Sequence, residues 1–174
     1  LTLGLSASTP FGLKSEYPGD AIARYYAQRT SLLTIAMTPA AAYEVTDRLS
    51  IGAGIRLQYA RFDASAVVDA GGAAFANSIP GFLPGSSDLF AEFEAEDFEI
   101  GFVVGAQLQA SDRLRLGASY ASKLTHDLEG VAAFDLAGSP AAAILNAGAG
   151  LFADTDFTSA LSLPSVIAAS FVFD

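Results

Sequence analysis

Residues 34–62, TIAMTPAAAYEVTDRLSIGAGIRLQYARF, read as two long alternating strands joined by a tight polar turn. On the second of them Leu49, Ile51, Ala53, Ile55, Leu57 and Tyr59 share one face, and Ser50, Gly52, Gly54, Arg56 and Gln58 share the other. Side chains on a strand alternate with a period of two, so one face is apolar and the other polar or small. Strands of globular proteins run about 5–6 residues. These continue for about ten or more, the length at which a tilted strand crosses a bilayer. The pattern predicts an all-β fold, an antiparallel transmembrane β-barrel. A soluble sandwich alternates too, but with shorter strands and uniformly short turns.

Composition narrows the alternatives. Of 174 residues 52% are hydrophobic, yet no run of about 18 apolar residues occurs, so the apolar content is spread in alternation. No cysteine is present, which removes disulfides and thiolate metal sites. The net charge of −10 argues against nucleic acid as a partner, because phosphate binding needs clustered Lys and Arg. The first residues, LTLGLSAS, have neither the basic start nor the long apolar stretch of a signal peptide. An exported barrel carries one, so the chain is expected to belong to a longer precursor.

Taken in order, six strands are expected. The first covers residues 1–8, followed by a loop at 9–28 that carries Pro10, Gly12, Pro18 and Gly19 with Lys14, Glu16, Asp20 and Arg24. The second covers 29–45, with a bulge or irregularity at Pro39, which has no N–H for the ladder. A short turn at 46–48 leads to the third strand, which ends near Phe62. A long connection at 64–96 follows, with helical pieces at 64–77 and 87–93. The fourth strand, 97–110, turns at 111–113 into the fifth, 114–134, with Leu116, Ala118, Tyr120 and Leu124 on the apolar face. A second long loop at 135–156 holds a helix near 140–147, and the sixth strand, 157–173, is interrupted by Pro164. Short turns alternating with long loops match the periplasmic and extracellular ends of an outer-membrane barrel. Tyr43 toward one end, with Tyr59 and Tyr120 toward the other, suits aromatic girdles.

The segments GLSASTPFGLKSEY, AYEVTDRLSIGAGIRLQYAR, FEIGFVVGAQLQASDRLRLGASYASKLTHDLEG and LSLPSV resemble the FadL-type outer-membrane transporters of long-chain fatty acids and aromatic hydrocarbons. The resemblance covers nearly the whole chain and is weakest in the long loops. It implies a barrel of about fourteen strands with an N-terminal plug, of which this chain supplies about six consecutive meander strands with short helices in the extracellular loops. It implies passive uptake across the outer membrane of a Gram-negative bacterium. The implied partners are a hydrophobic ligand (fatty acid or arene), detergent, outer-membrane lipid and lipopolysaccharide, and the complete barrel is expected to be a monomer. No cofactor, metal or catalytic site is expected.

Three groups of residues are candidates for the transport path. The resemblance implies a hydrophobic groove between the long loops, which Phe75, Ile79, Phe82, Leu83, Leu89, Phe90, Ile144, Leu145, Leu151 and Phe152 would line. Alternation turns Arg56, Gln58, Gln107, Arg115 and Lys123 toward the lumen, where a cation would hold a carboxylate. Polar lumen walls carry such residues in any case, paired with Glu44, Glu99 or Asp127. Pro10 and Gly12 match a strand that kinks inward and opens a lateral gap in the family, although both residues also serve simply to end a strand. The acidic residues Asp88, Glu92, Glu94, Glu96, Asp97 and Glu99 could bind divalent cations among lipopolysaccharide head groups, or be solvated. His126, the one histidine, adjoins Asp127, but strand neighbours point apart, and no nucleophile motif accompanies it. Transport therefore leads over a barrel hydrolase using His126 and over a structural or adhesive barrel.

Overall fold

The computed structural model describes residues 1–19 and 21–173; Asp20, assigned by sequence to the first loop, lies outside them. The elements are β1 (Thr2–Ser8), β2 (Gly12–Glu16), a 3-10 turn (Ile22–Tyr25), β3 (Arg29–Thr46), β4 (Leu49–Asp69), α1 (Ala70–Ala76), β5 (Asp88–Ser111), β6 (Leu114–Ala121), β7 (Leu124–Asp135), α2 (Pro140–Ala149), β8 (Thr155–Leu163) and β9 (Val166–Phe173). All pair antiparallel in one open sheet. The six-strand meander is present, with strand five divided into β6 and β7 and strand six into β8 and β9; residues 12–16, expected as part of the first loop, instead form β2 on β3, because they find pairing partners at Arg29–Leu33. No helix among the described residues is long and apolar enough to cross a membrane, which says nothing of crossing by strands.

The two short turns are built alike. Thr46 Oγ1 accepts the amides of Arg48 and Leu49, and Ser111 Oγ accepts those of Arg113 and Leu114. Gln109 donates its amide to the Arg48 carbonyl at 2.7 Å, which places both turns at one end of the sheet. At the other end α1 packs against α2.

The sequence overestimates the central loop. β4 runs on to Asp69 and β5 begins at Asp88, so stretches expected to be loop pair with each other, Ala64 opposite Phe93. The helix expected at 87–93 is therefore strand: Leu89 and Ala91 are buried, while Phe90 and Glu92 point the other way. The helix expected at 64–77 shrinks to α1, because the Asp69 carboxylate caps it by accepting the Gly72 amide at 2.7 Å. α2 holds, with Pro140 in its first turn, Ser139 accepting the Ala142 amide and Gly150 ending it at φ 64°. The β3–β4 ladder has no pair at Thr38 and Pro39, the irregularity expected there, but the register is the same on both sides, at Met37↔Leu57 and Ala40↔Gly54; the register shift lies between Glu44 and Thr46.

One face of the sheet exposes Leu3, Leu5, Ile35, Met37, Ile51, Ile55, Ile100, Phe102 and Val104. An apolar surface of that extent belongs in lipid. The opposite, inner face near the short turns is paved with Gly4, Gly52, Gly105, Gly117, Ser119 and Ser170 around a cavity of about 530 Å³.

β3, β4 and β5 form a panel flanked on both sides by interruptions. β1 pairs with β3 as Ser8↔Ala36, but β2 resumes as Gly12↔Leu33, one residue out of step. β6 pairs with β5 as Val103↔Ala121, but β7 resumes as Glu96↔Glu129, again one residue out. A one-residue slip exchanges the faces of a strand. Hence Leu3 and Leu5 point outward in β1 while Lys14 and Glu16 take that face in β2. Likewise Leu116 is exposed while Leu124, expected beside it on the lipid face, is buried. The interruptions stand at overlapping heights: Phe11 bonds Thr34, Thr34 pairs with Ala60, Ala60 with Asp97, and Asp97 bonds His126.

Candidate functional site

The end of the sheet opposite the short turns is organised by α1 and α2. Ala70, Ala74, Leu89, Ala141, Ala142 and Leu145 form a buried cluster, with Ile79, Phe82, Phe134 and Phe152 packed at its edge. Small residues let the helices approach closely. Two hydroxyls fasten them: Ser87 and Ser139, both buried, lie 3.0 Å apart, and Ser87 Oγ also accepts the Ala141 amide. Among the sequence-assigned groove residues, Leu89 and Leu145 are core. Ile79, Phe82 and Phe152 are half-buried supports, and Phe75, Leu83, Ile144 and Leu151 stay exposed. Phe90 does not join them. As a strand neighbour of Leu89 it takes the other face, lining a cavity of about 770 Å³ with Arg29 and Arg61. Val68 and Leu136, which also support the cluster, were not among the assigned residues.

The acidic stretch is divided by the same alternation. Glu94 faces Arg61 at 3.5 Å, Arg61 also meets Asp63, and Glu96 accepts the Tyr59 hydroxyl at 2.6 Å. Lys14 pairs with Glu16 at 3.0 Å. Asp88 instead accepts from Arg24 and Tyr25, joining the first loop to the start of β5. No group of three metal-ligating side chains is assembled among the described residues.

On the inner face the sequence-assigned residues separate by height. Arg115 is exposed near the short turns and donates to Gln109 at 3.1 Å. Gln107 lines the small-residue cavity. Lys123 sits exposed in the strand-five interruption, after which the even-numbered residues face inward, so the alternation that put it in the lumen does not reach it. Arg56 and Gln58 lie deeper. Arg56 is only 8% exposed, and among the described residues no carboxylate pairs with it, neither Glu44, Glu99 nor Asp127. Gln58 is fully buried; its Nε2 lies 3.3 Å from His126 Nε2, and its Oε1 has no partner among the described residues.

His126, also fully buried, completes a chain the sequence does not announce. Its Nδ1 lies 3.0 Å from Asp97 Oδ2, on a different strand, rather than bonding its neighbour Asp127. The other ring nitrogen meets an amide, not a hydroxyl nucleophile.

Strand one does not end at Pro10 and Gly12. It breaks at residues 9–11 and resumes as β2, and the gap in its ladder is bridged by Thr34: its hydroxyl donates to the Phe11 carbonyl at 2.7 Å and accepts the Phe11 amide at 3.0 Å. The Thr34 backbone amide also donates to the Phe11 carbonyl, at 3.1 Å, so the side chain supplements a single backbone bond beside Pro10, which has no N–H.

A family model for outer membrane protein transport proteins (OMPP1/FadL/TodX) matches residues 1–173. Among solved structures the chain is similar to a FadL homologue of Pseudomonas aeruginosa, with 24% identity and a TM-score of 0.83 over 99% of this chain and 41% of that one. The toluene transporter TbuX of Ralstonia pickettii matches with 20% identity and a TM-score of 0.61, over 97% of this chain and 46% of that one. The toluene transporter TodX of Pseudomonas putida matches with 17% identity and a TM-score of 0.58, over 99% and 46%. The chain therefore spans less than half the length of these structures, and what they share with it is the fold. A comparison with curated proteins gives no match.

Proposed function

Because this chain belongs to the OMPP1/FadL/TodX family of outer membrane transport proteins, we propose that it forms the capture mouth and part of the conducting wall of a transporter for hydrophobic small molecules. The family consists of transporters and channels of the Gram-negative outer membrane rather than enzymes, and this chain is an outer-membrane protein. In the proposed path an apolar ligand settles against the α1–α2 pair, where Phe75, Leu83, Ile144 and Leu151 present exposed side chains. It then enters the lumen and leaves sideways at residues 9–11, where the strand-one ladder is already interrupted.

Arg56 is the observation that favours a long-chain fatty acid over an arene. A guanidinium that is almost wholly buried, with no carboxylate among the described residues, lacks the anion that normally accompanies it. A ligand carboxylate supplies it. Gln58, one inward position along β4, offers a further polar contact.

The test measures binding and uptake of a labelled long-chain fatty acid and of toluene by the complete barrel and by its Arg56→Gln variant. A hydrogen bond to a charged group contributes about 1.5–3 kcal/mol. Fatty-acid affinity is expected to fall by roughly ten-fold or more, with toluene binding unchanged. Equal effects on both ligands would reject the carboxylate site. A parent barrel that moves neither ligand above the background of a membrane lacking it would reject transport and leave a structural barrel.

A further inference from the structure

We propose that the barrel wall has a second lateral gate, between β5 and β7, separate from the strand-one interruption and held shut in this structure by side chains. The inference rests on the transport reading.

The evidence is a stretch of wall without a ladder. Residues 97–102 of β5 pair fully with β4 on one side but with no strand on the other: β6 pairing stops at Val103↔Ala121 and β7 pairing starts at Glu96↔Glu129. The hairpin beyond is broken at the same level, at Ser122 and Lys123 in strand five and at Pro164 and Ser165 in strand six. Below and above this level the wall is ordinary sheet.

Across the gap, side chains do the work of the missing strand. Ile100 donates its amide to the carboxylate of its own neighbour Glu99, at 3.2 Å. Phe102 donates its amide to Ser122 Oγ at 3.0 Å and accepts the Ser122 amide at 2.9 Å. Strand β7 is drawn inward: His126 reaches past β5 to Gln58 on β4, and Leu128 packs on Ala60 and Ala95. The Asp97–His126–Gln58 chain is thus a latch holding β7 in the lumen. Parting a regular ladder in lipid exposes backbone N–H and C=O groups where no water can satisfy them. Here most of that ladder is already absent, so the wall can part mainly by moving side chains.

The lining suits an apolar molecule with one anionic end. The outer rim is Phe98, Ile100 and Phe102, of which Ile100 is 61% exposed. The inner lip is Leu124, whose side chain, with Ser122, fills the space a Cβ on Gly101 would take. Arg56 pairs with Gly101, so the site proposed for the carboxylate opens directly on this lip.

The test clamps the gap in the complete barrel. A Cβ on Gly101 would meet Ser122 Oγ at 2.5 Å and Leu124 at 2.7 Å, so Gly101→Cys with Ser122→Cys brings the two sulfurs together while displacing the Leu124 side chain, and the reduced pair must first bind and take up fatty acid like the parent. Oxidation is expected to cut fatty-acid uptake at least five-fold, with recovery on reduction and unchanged binding at the loops. A second measurement needs no disulfide. A photoreactive residue at Ile100 is expected to capture labelled fatty acid during uptake, several-fold more than one at Ile51 on the continuous panel. Uptake indifferent to the clamp, or equal labelling at the two positions, overturns this gate while leaving the transport reading intact. A parent barrel that takes up no fatty acid overturns both.

Discussion

Asp97 and His126 are joined by a 3.0 Å hydrogen bond at a height where their strands share no ladder. The contact exists because β7 has slipped by one residue, which turns His126 inward and Asp127 outward. The same slip carries His126 across β5 to Gln58. A lone histidine in an alternating strand thereby becomes the connection between a displaced strand and the panel it leaves.

Lipid-face register is tested by a charged substitution. Ile55 is more than half exposed on the apolar face. Arginine at the bilayer midplane costs about 2–4 kcal/mol there. Ile55→Arg is expected to reduce the heat-modifiable, folded fraction of the complete barrel. Gly54→Ser is a poor control, because a Cβ at Gly54 would meet the Pro39 carbonyl at 2.8 Å. Gly4→Ser, where nothing lies within 4 Å, is the right one and should assemble like the parent. Equal loss in both variants would reject the register.

Capture at the mouth is expected to depend on the exposed side chains and not on Phe90. A Phe75→Ala, Leu83→Ala, Ile144→Ala variant should bind labelled fatty acid much more weakly, since burying such side chains contributes about 1.5–3 kcal/mol each. Phe90→Ala, on the opposite face of β5, should leave affinity unchanged. Fluorescence titration of the complete barrel separates the two; a triple variant that binds like the parent removes the mouth from the path.

The fastening of the two helices rests on Ser87. Ser87→Ala removes the hydroxyl that meets Ser139 and accepts the Ala141 amide, leaving buried groups unsatisfied at about 1–3 kcal/mol. Amide exchange at Ala141 should accelerate by at least an order of magnitude, while exchange along β4 stays slow. Uniform acceleration would mean that the hydroxyl pair has no local role.

At strand one, Pro10→Val with Gly12→Val is expected to favour a continuous strand. A Cβ at Gly12 meets only the Leu32 carbonyl, at 3.9 Å, so the variant has room to fold. Uptake should fall and binding at the mouth persist. Undiminished uptake by the folded variant would count against sideways exit at this position.

The sequence by itself determined the alternating wall and the placement of both short turns at one end of it. Alternation at Ile51, Ile55, Phe102 and Val104 has a period set by the pleat, and Thr46 and Ser111 close their turns through contacts within three residues. Arg56 and Gln58 were legible for the same reason, because β4 never slips against β5. What the tertiary structure decided lies wherever a strand loses step. Lys123, Leu124 and His126 continue an unbroken pattern on paper, and no local residue marks the change of face; it arises because β6 and β7 meet β5 in registers one residue apart. Leu89 and Phe90 show the complementary limit. Their segment has the small and apolar residues of a loop helix, and only the pairing of Val68 with Leu89 and Val67 with Phe90 makes it a strand with two faces. Register is a relation between segments far apart in the chain, so a reading that follows one segment at a time does not contain it.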